Sequence, residues 1–236
     1  MSRSIDDPAA NLGAGAEVRG ASAATGRAAR PLIGLVGGIG AGKSTVAQIL
    51  RDLGCVVSDS DALAREAFDD AGVRAALRGR WGGRVFSSRG AVDRKTVATI
   101  VFGDDAERRW LESITHPWIE DRRRAMFAAA PPQAPALVID APLLLEAGLG
   151  PRCDAVVFVD APREERLARV RATRGWDAGE LARREAAQWP LERKRRASSI
   201  VLMNDGDRPS LADKVREALE SIVRAGPSTT TRDHDP

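Results

Sequence analysis

The sequence predicts an α/β fold of the P-loop three-layer type, in which a parallel five-stranded sheet lies between two layers of helices. Short apolar runs rich in β-branched residues alternate with segments of helical periodicity. A glycine-rich loop separates the first apolar run from the first helix. Two other stretches contain helical patterns without a strand between them. They predict a helical insertion and an arginine-rich helical lid.

Five apolar runs are predicted to be the strands, because nearly continuous hydrophobic character is typical of parallel strands covered on both faces. The predicted strands are Leu32–Val36, Cys55–Ser58, Ala136–Ile139, Ala155–Val159 and Ile200–Leu202. The closing helix repeats apolar residues on one face from Leu211 to Ile222. Ser210 and Asp213 indicate a capping box at its start.

The segment Gly37–Thr45 contains the pattern G-x-x-x-x-G-K-S, which is typical of a phosphate-binding loop. Glycines let main-chain N–H groups turn toward an anion, and the following helix directs its positive end at the same point. Lys43 is predicted to reach the β- and γ-phosphates, and Ser44 to place its hydroxyl on Mg²⁺. The alternative, a glycine-rich turn that binds nothing, is disfavoured by the strand and helix on either side. The predicted nucleotide-binding residues here are Gly38, Gly40, Ala41, Gly42, Lys43, Ser44 and Thr45.

The insertion contains the helical patterns Arg94–Phe102 and Ala106–Phe127. The lid is dense in arginine, and Asp177 with Glu180 indicates a helix start within it. Behind a phosphate-binding loop such a segment can close over phosphates, although a solvated helical hairpin is the alternative. The predicted boundaries are 31–61, 136–172 and 197–224 for the core, 62–135 for the insertion and 173–196 for the lid.

The two ends of the chain lack hydrophobic periodicity, so residues 1–30 are predicted to be a disordered leader and residues 225–236 a disordered tail. A transit peptide is the alternative for the leader. The acidic residues Asp6, Asp7 and Glu17 count against it, because transit peptides are poor in acids.

Composition limits the partners. With 236 residues, 43% of them hydrophobic, the chain can build one α/β domain with insertions. No run approaches the roughly 18 apolar residues of a membrane span, and the net charge of +3 is too small to indicate nucleic acid. Cys55 and Cys153 are expected to be reduced, half-buried strand residues. With no secretory signal, a cytoplasmic monomer or weak oligomer is expected.

Acidic residues follow the second and third predicted strands, where ligands gather in parallel α/β sheets. Asp61, in the sequence Asp59-Ser60-Asp61, is predicted to orient an attacking hydroxyl and accept its proton. Asp59 is predicted to cap the helix that follows. Asp140 follows the third strand, where it can hold Mg²⁺ through water or accept hydrogen bonds at the strand end.

The order and spacing of these motifs resemble those of dephospho-CoA kinases over about residues 32–223. The resemblance implies a P-loop kinase with a core, a helical CoA-binding insertion and a lid. It also implies transfer of the γ-phosphate of ATP to the ribose 3′-hydroxyl of dephospho-CoA, the last step of coenzyme A synthesis. It rests on the glycine loop, Asp59-Ser60-Asp61 with Arg65, Val101-Phe102, His116-Pro117-Trp118-Ile119, Pro142-Leu143-Leu144 with Glu146, Gln188 through Pro190-Leu191 to Lys194, and Asn204.

The resemblance implies roles for residues of the acceptor side. Asp61 is implied to be the general base that acts on the 3′-hydroxyl. Arg65 and His116 are implied to belong to the acceptor-binding region. His116 precedes Pro117, so a hydrogen-bonding residue at a helix end is the alternative for it.

The resemblance implies further roles on the ATP side. Arg174 is implied to be the lid arginine that closes on the phosphates and so to be catalytic with Asp61 and Lys43; Arg171 is a neighbour that can take its place. Asn204 is implied to form part of the adenine pocket for ATP. Relative to the family, Val36 stands where threonine is usual before the first loop glycine.

Three other functions fit parts of the sequence. A P-loop kinase for another small nucleoside or nucleotide would share the core and the lid. A GTP-dependent switch would need an Asn-Lys-x-Asp motif, and Asn204-Asp205-Gly206-Asp207 lacks the lysine. Nucleic-acid binding through the arginine-rich lid has no recognised module or aromatic interleaving to support it.

Overall fold

A computed structural model describes residues 30–227 of the chain. Within them, five strands form one sheet, and each neighbouring pair of strands is parallel. The strands are β1 (Leu32–Gly37), β2 (Val56–Asp59), β3 (Leu137–Asp140), β4 (Ala155–Asp160) and β5 (Ile200–Met203). Their order across the sheet is β2-β3-β1-β4-β5. The predicted α/β fold is confirmed, with β2 and β3 displaced by one residue from the predicted bounds.

The helices of the described part follow the predicted alternation. Two of them, α4 and α5, match the helical patterns predicted within the insertion. The helices are α1 (Lys43–Asp52), α2 (Ser60–Ala67), α3 (Ala71–Trp81), α4 (Arg94–Gly103), α5 (Asp105–Ala128), α6 (Arg163–Arg174), α7 (Ala178–Ala186), α8 (Leu191–Arg196) and α9 (Arg208–Ala225). Short 3₁₀ helices cover Gly82–Val85 and Gly150–Arg152.

Side chains on the two faces of the sheet build separate halves of the core, as expected for strands covered on both sides. On one face, Ile33 and Leu35 of β1 pack with residues of α1 and α9. On the other face, Val36 and Phe158 pack with the segment that follows β3 and with Leu191 of α8. This arrangement gives the three layers of the predicted fold.

The predicted insertion has an apolar cluster of its own. Val73, Leu77 and Trp81 of α3 are buried there with Val85 and Val97. Within this stretch the pairing between strands is limited to an isolated bridge between Phe86 and Val92. The helical character predicted for the insertion is therefore confirmed.

Aspartate side chains cap most helix starts in the described part. Asp59, Asp70, Asp93, Asp104, Asp177 and Asp207 each accept a hydrogen bond from a main-chain N–H in the first turn of the helix that follows. The cap predicted at Asp59 is thus confirmed, as is the helix start at Asp177. The capping box predicted with Ser210 as the first residue is wrong. Helix α9 begins earlier, because Asp207 caps it and Pro209 fits the first turn.

The predicted disordered ends lie almost entirely outside the described residues. Arg30 is the first residue described, and α9 continues to Ala225, the first residue of the predicted tail. Cys55 is buried just before β2, and Cys153 is partly buried two residues before β4. Neither lies within a strand as predicted, and the predicted half-burial holds for Cys153 alone. Burial raises the pKa of the Cys55 thiol to about 11. Within residues 30–227, no helix combines the length and apolarity that crossing a membrane would need.

Lys194 ties α8 to the segment that follows β3. Its side chain is fully buried, and its ammonium lies 2.9 Å from a carboxylate oxygen of Glu146. The same ammonium donates to the carbonyl of Pro142 at 2.9 Å and to Gln188 at 3.0 Å. Glu146 also accepts the main-chain N–H of Trp189 at 2.9 Å. The end of the predicted lid segment is therefore anchored to the core.

We expect Lys194→Met to lower the free energy of unfolding by about 3–5 kcal/mol, because removing one partner leaves the other charge buried and unpaired. Urea denaturation followed by circular dichroism measures this. Lys214→Met is the matched control, since Lys214 pairs with Asp205 at a half-exposed site where a much smaller loss is expected. Equal losses in the two variants would contradict the role given to Lys194.

Candidate active site

The phosphate-binding loop joins β1 to α1 at the carboxyl edge of the sheet. Two of its glycines adopt left-handed backbone conformations, Gly40 with φ 78° and Gly42 with φ 92°. A tight turn closes the loop, with the N–H of Ala41 donating to the carbonyl of Gly38 at 3.0 Å. The two positive φ values require glycine, because other residues rarely adopt them.

Neighbouring residues approach the main chain of this loop so closely that Gly37 and Gly42 have no room for a side chain. A Cβ at Gly37 would lie 2.7 Å from the carbonyl oxygen of Val159 in β4. A Cβ at Gly42 would lie 2.2 Å from the Nδ2 of Asn204, which donates to the carbonyl of Ala41 at 2.8 Å. The loop is therefore seated against β4 on one side and against the residue after β5 on another.

Helix α1 begins differently from the helices capped by aspartate. Its N-cap is Gly42, which has no side chain to accept a hydrogen bond. The first-turn N–H groups of a helix have no carbonyl partner within the helix. At α1 these donors, among them those of Lys43 and Ser44, meet no capping carboxylate. They form a site of positive potential that suits phosphate.

Lys43 forms an ion pair with Asp140 at the end of β3. Asp140 is buried, and burial raises the pKa of its carboxyl above the ordinary value, against the opposing attraction of Lys43. The strand register places Asp140 beside Asp59 of β2. As one of the two alternatives for Asp140 expects, its carboxylate accepts a hydrogen bond at the strand end. Its partner is the predicted phosphate-binding lysine.

The oxygen atoms near the loop are of the kind that Mg²⁺ binds. Ser44 lies in the first turn of α1 with an exposed side chain, and Asp140 supplies a carboxylate at the neighbouring strand end. Within residues 30–227, no group of three or more His, Cys, Asp or Glu residues could form a metal site of protein ligands alone. Mg²⁺ usually takes one or two protein oxygens together with substrate phosphates and water. The residues present fit that mode of binding.

Asp59 and Asp61 occupy different positions, because Asp59 is the last residue of β2 and Asp61 lies in the helix that follows it. Asp59 accepts the N–H of Ala62 at 2.9 Å and so starts α2. Asp61 is in the first turn of α2, and its side chain is exposed and makes no hydrogen bond or ion pair within the described residues. The carboxylate of Asp61 is thus available to a hydroxyl group.

A buried arginine that sequence reasoning missed holds this turn. Arg123 of α5 is 5% exposed and donates to the hydroxyl of Ser58 at 3.3 Å and of Ser60 at 3.2 Å. Burial lowers the pKa of its guanidinium, against the attraction of Glu120, which lies 2.6 Å away. Arg123 therefore links the longest helix of the insertion to the residues on either side of Asp59. Ser58 and Arg123 are 65 positions apart, so no local pattern could indicate the contact.

Arg65 and His116 lie on neighbouring helices, Arg65 on α2 and His116 on α5. Both side chains are exposed and make no hydrogen bond or ion pair within residues 30–227. His116 lies in the middle of α5, and Pro117 follows it inside the helix. The alternative of a hydrogen-bonding residue at a helix end is therefore wrong for His116.

Arg174 is the last residue of α6, and its guanidinium lies 4.7 Å from the ring centroid of Trp176. Arg184 of α7 lies over the same ring at 4.2 Å. Two arginines of the predicted lid thus lie within 4.7 Å of the centroid of the same indole ring. In this conformation the structure does not bring Arg174 to the phosphate-binding loop.

Two other arginines of α6, Arg166 and Arg169, do contact the loop, and sequence reasoning missed both. The guanidinium of Arg169 donates to the carbonyl of Ala41 at 3.4 Å and to that of Asn204 at 3.1 Å. It also lies 2.5 Å from Glu165. Arg169 therefore binds the loop and the residue after β5 together. The only sequence signal was that Arg166 and Arg169 recur on one face of a helix that follows β4.

Comparison with known proteins gives the following matches. The family model described as dephospho-CoA kinase matches residues 31–210. A dephospho-CoA kinase of Gloeobacter violaceus is 40% identical over 193 residues, covering 81% of this chain and 93% of that protein. One of Deinococcus radiodurans is 41% identical over 191 residues, covering 80% of this chain and 91% of that protein.

Solved structures agree with these matches. A crystal structure of a Thermus thermophilus protein superposes with a TM-score of 0.70 at 37% identity, covering 83% of this chain and 97% of that one. A dephospho-CoA kinase of Campylobacter jejuni superposes with a TM-score of 0.56 at 20% identity, covering 82% and 97%. The latter likeness bears on the fold alone.

We expect Gly42→Ala to weaken ATP binding by about 10-fold or more, because a Cβ would meet Asn204 and the left-handed conformation costs roughly 1–2 kcal/mol. Isothermal titration calorimetry measures this. Gly79→Ala is the control, since a Cβ there meets nothing within 4 Å.

A Gly42→Ala variant that binds ATP as tightly as the unaltered protein would contradict the proposed seating of the loop.

Proposed function

Because the chain belongs to the dephospho-CoA kinase family, we propose that it transfers the γ-phosphate of ATP to the ribose 3′-hydroxyl of dephospho-CoA. The products are coenzyme A and ADP, and the reaction is the last step of coenzyme A synthesis. The observation that carries this conclusion is the family match over residues 31–210, which includes both the phosphate-binding loop and Asp61.

ATP is proposed to bind with its β- and γ-phosphates in the loop. The supporting features are the uncapped start of α1, the glycine backbone and the ammonium of Lys43 beside it. Asp140 holds that ammonium at the strand end, so Lys43 needs little reorganisation to meet a phosphate. We propose that Asn204 shapes the adenine end of the site, since it fixes the loop through Ala41.

Mg²⁺ is proposed to enter with ATP, with the hydroxyl of Ser44 as its protein ligand and Asp140 acting through water. When bound, the ion would neutralise charge that develops on the phosphate oxygens. Asp140 would then serve both Lys43 and the water shell of the ion. Because it is paired with Lys43, the carboxylate can stay ionised although burial raises its pKa.

Asp61 is proposed to be the general base. It accepts the proton of the 3′-hydroxyl while the oxygen forms a bond to the γ-phosphorus and the bond to the β-phosphate oxygen breaks, releasing ADP. The support is its exposed carboxylate in the first turn of α2, just after β2, the strand next to the one that carries Asp140. Arg123 would hold the turn that presents Asp61.

The acceptor is proposed to lie along the insertion, residues 62–135, where the exposed Arg65 and His116 can contact its phosphates and base. The segment 173–196 is proposed to act as the lid. Arg174 would leave Trp176 and turn to the phosphates on closure, which would exclude the water that competes with the 3′-hydroxyl. We further propose a cytoplasmic monomer or weak oligomer that needs neither nucleic acid nor membrane.

An assay of ADP release tests the function. With dephospho-CoA as acceptor we expect turnover that is at least about 100-fold above that with adenosine monophosphate, because a site built for one acceptor leaves groups unpaired with another. Mass spectrometry should find the new phosphate on the 3′-oxygen. Equal turnover with a simple nucleoside monophosphate would favour the alternative, a kinase for another small nucleotide.

We expect Asp61→Asn to lower kcat by roughly 10²–10⁴-fold, the usual contribution of a positioned base, while ATP affinity is kept. The amide has nearly the same shape but cannot accept the proton. Asp69→Asn, an exposed change in the turn just after the same helix, is the control and should leave kcat unchanged. An Asp61→Asn variant with unaltered kcat would show that another group takes the proton.

A further inference from the structure

Arg166 is a buried arginine beside the phosphate-binding loop for which the proposed reaction has no role so far. It lies in the first turns of α6 and is 4% exposed. Its Nε donates to the carbonyl of Ala161 at 3.2 Å, and its guanidinium donates to the carbonyl of Ile39 at 3.4 Å. The guanidinium thus joins the loop to the residue that follows β4.

The contact with the loop is extensive. A Cβ at Gly38 would lie 3.4 Å from the side chain of Arg166, and a Cβ at Gly40 would lie 2.6 Å from its main-chain oxygen. Val170, one turn further along α6, also touches the position of Gly40 at 3.0 Å. Because protein interiors transmit small displacements, α6 and the loop must move together.

The remaining partner of Arg166 comes from the predicted lid. Glu185, near the end of α7, forms an ion pair with the guanidinium, and its side chain is 22% exposed. The other glutamate of α7, Glu180, pairs instead with Arg183 and Arg184 of its own helix. Glu185 is therefore the carboxylate that connects α7 to the loop.

We propose that Arg166 and Glu185 form a positioning pair that sets the loop main chain and the place of the first lid helix together. Arg166 fixes the Ile39 carbonyl, and Glu185 fixes Arg166 from α7. Neither side chain transfers a proton or a phosphoryl group. This proposal rests on the proposed function, because the lid and the bound triphosphate are parts of that function. If the pair acts in this way, ATP affinity depends on a carboxylate of the lid.

Glu185→Gln tests the pair, because it keeps the size of the side chain and removes its charge. We expect ATP affinity, measured by calorimetry without acceptor, to fall by about 3–30-fold, the range for residues that couple two elements. We also expect the ratio of ATP hydrolysed by water to ATP used for transfer to rise, since a lid helix that is held less firmly excludes water less well. Glu180→Gln is the matched control and should change neither quantity by more than about 2-fold.

A double-mutant cycle adds a second criterion. If the residues act as a pair, Arg166→Gln with Glu185→Gln should bind ATP no more weakly than Arg166→Gln alone. Multiplicative losses, or a Glu185→Gln variant that matches the unaltered protein in both quantities, would overturn the proposal. If Arg166→Gln does not fold, Glu185→Gln and its control decide alone. Failure of the unaltered protein to phosphorylate dephospho-CoA would count against the proposed function, whereas the calorimetric arm would still test the pair.

Discussion

The packing of the glycine loop against its neighbours is the constraint on which the rest of the site depends. The main chain of the loop touches β4 at Val159, the residue after β5 at Asn204 and helix α6 at Arg166. These neighbours leave no room for side chains at the loop glycines. The left-handed conformations of Gly40 and Gly42 also disfavour any residue with a side chain. The donors at the start of α1 are therefore fixed before any ligand arrives, and a fixed arrangement of donors costs no reorganisation when charge develops.

Three ion pairs near this site lie partly or fully inside the protein. Lys43 with Asp140, Arg166 with Glu185 and Lys194 with Glu146 all place at least one partner out of water. A buried pair adds little net stability, but losing one partner is costly. The pairs therefore specify one arrangement of strands and helices more than they stabilise it. Each of them joins an element of the core to an element next to the triphosphate site.

Much of the fold and part of the candidate site could be predicted from the sequence, because the sequence patterns that indicate them are local. The strands, the glycine loop and the cap at Asp59 depend on residues within a few positions of one another. The error at α9 was also local, since Ser210 resembles a cap but Asp207 lies at the true helix start. The contacts of Arg123, Arg166 and Arg169 could not be predicted. Their contacts with Ser58, Ser60 and the glycine loop join residues between 63 and 129 positions apart, and an arginine in an arginine-rich chain carries no sign of its partner.

The guanidinium groups of Arg174 and Arg184 both lie close to the indole ring of Trp176, and this has a consequence for measuring lid motion. Indole emission responds to cations and to water near the ring, so departure of either guanidinium would alter the emitted light. Under the proposed lid closure, Arg174 would leave the ring of Trp176, so this indole would report the motion. With the other four tryptophans replaced, stopped-flow recordings of Trp176 emission would time that motion against the chemical step.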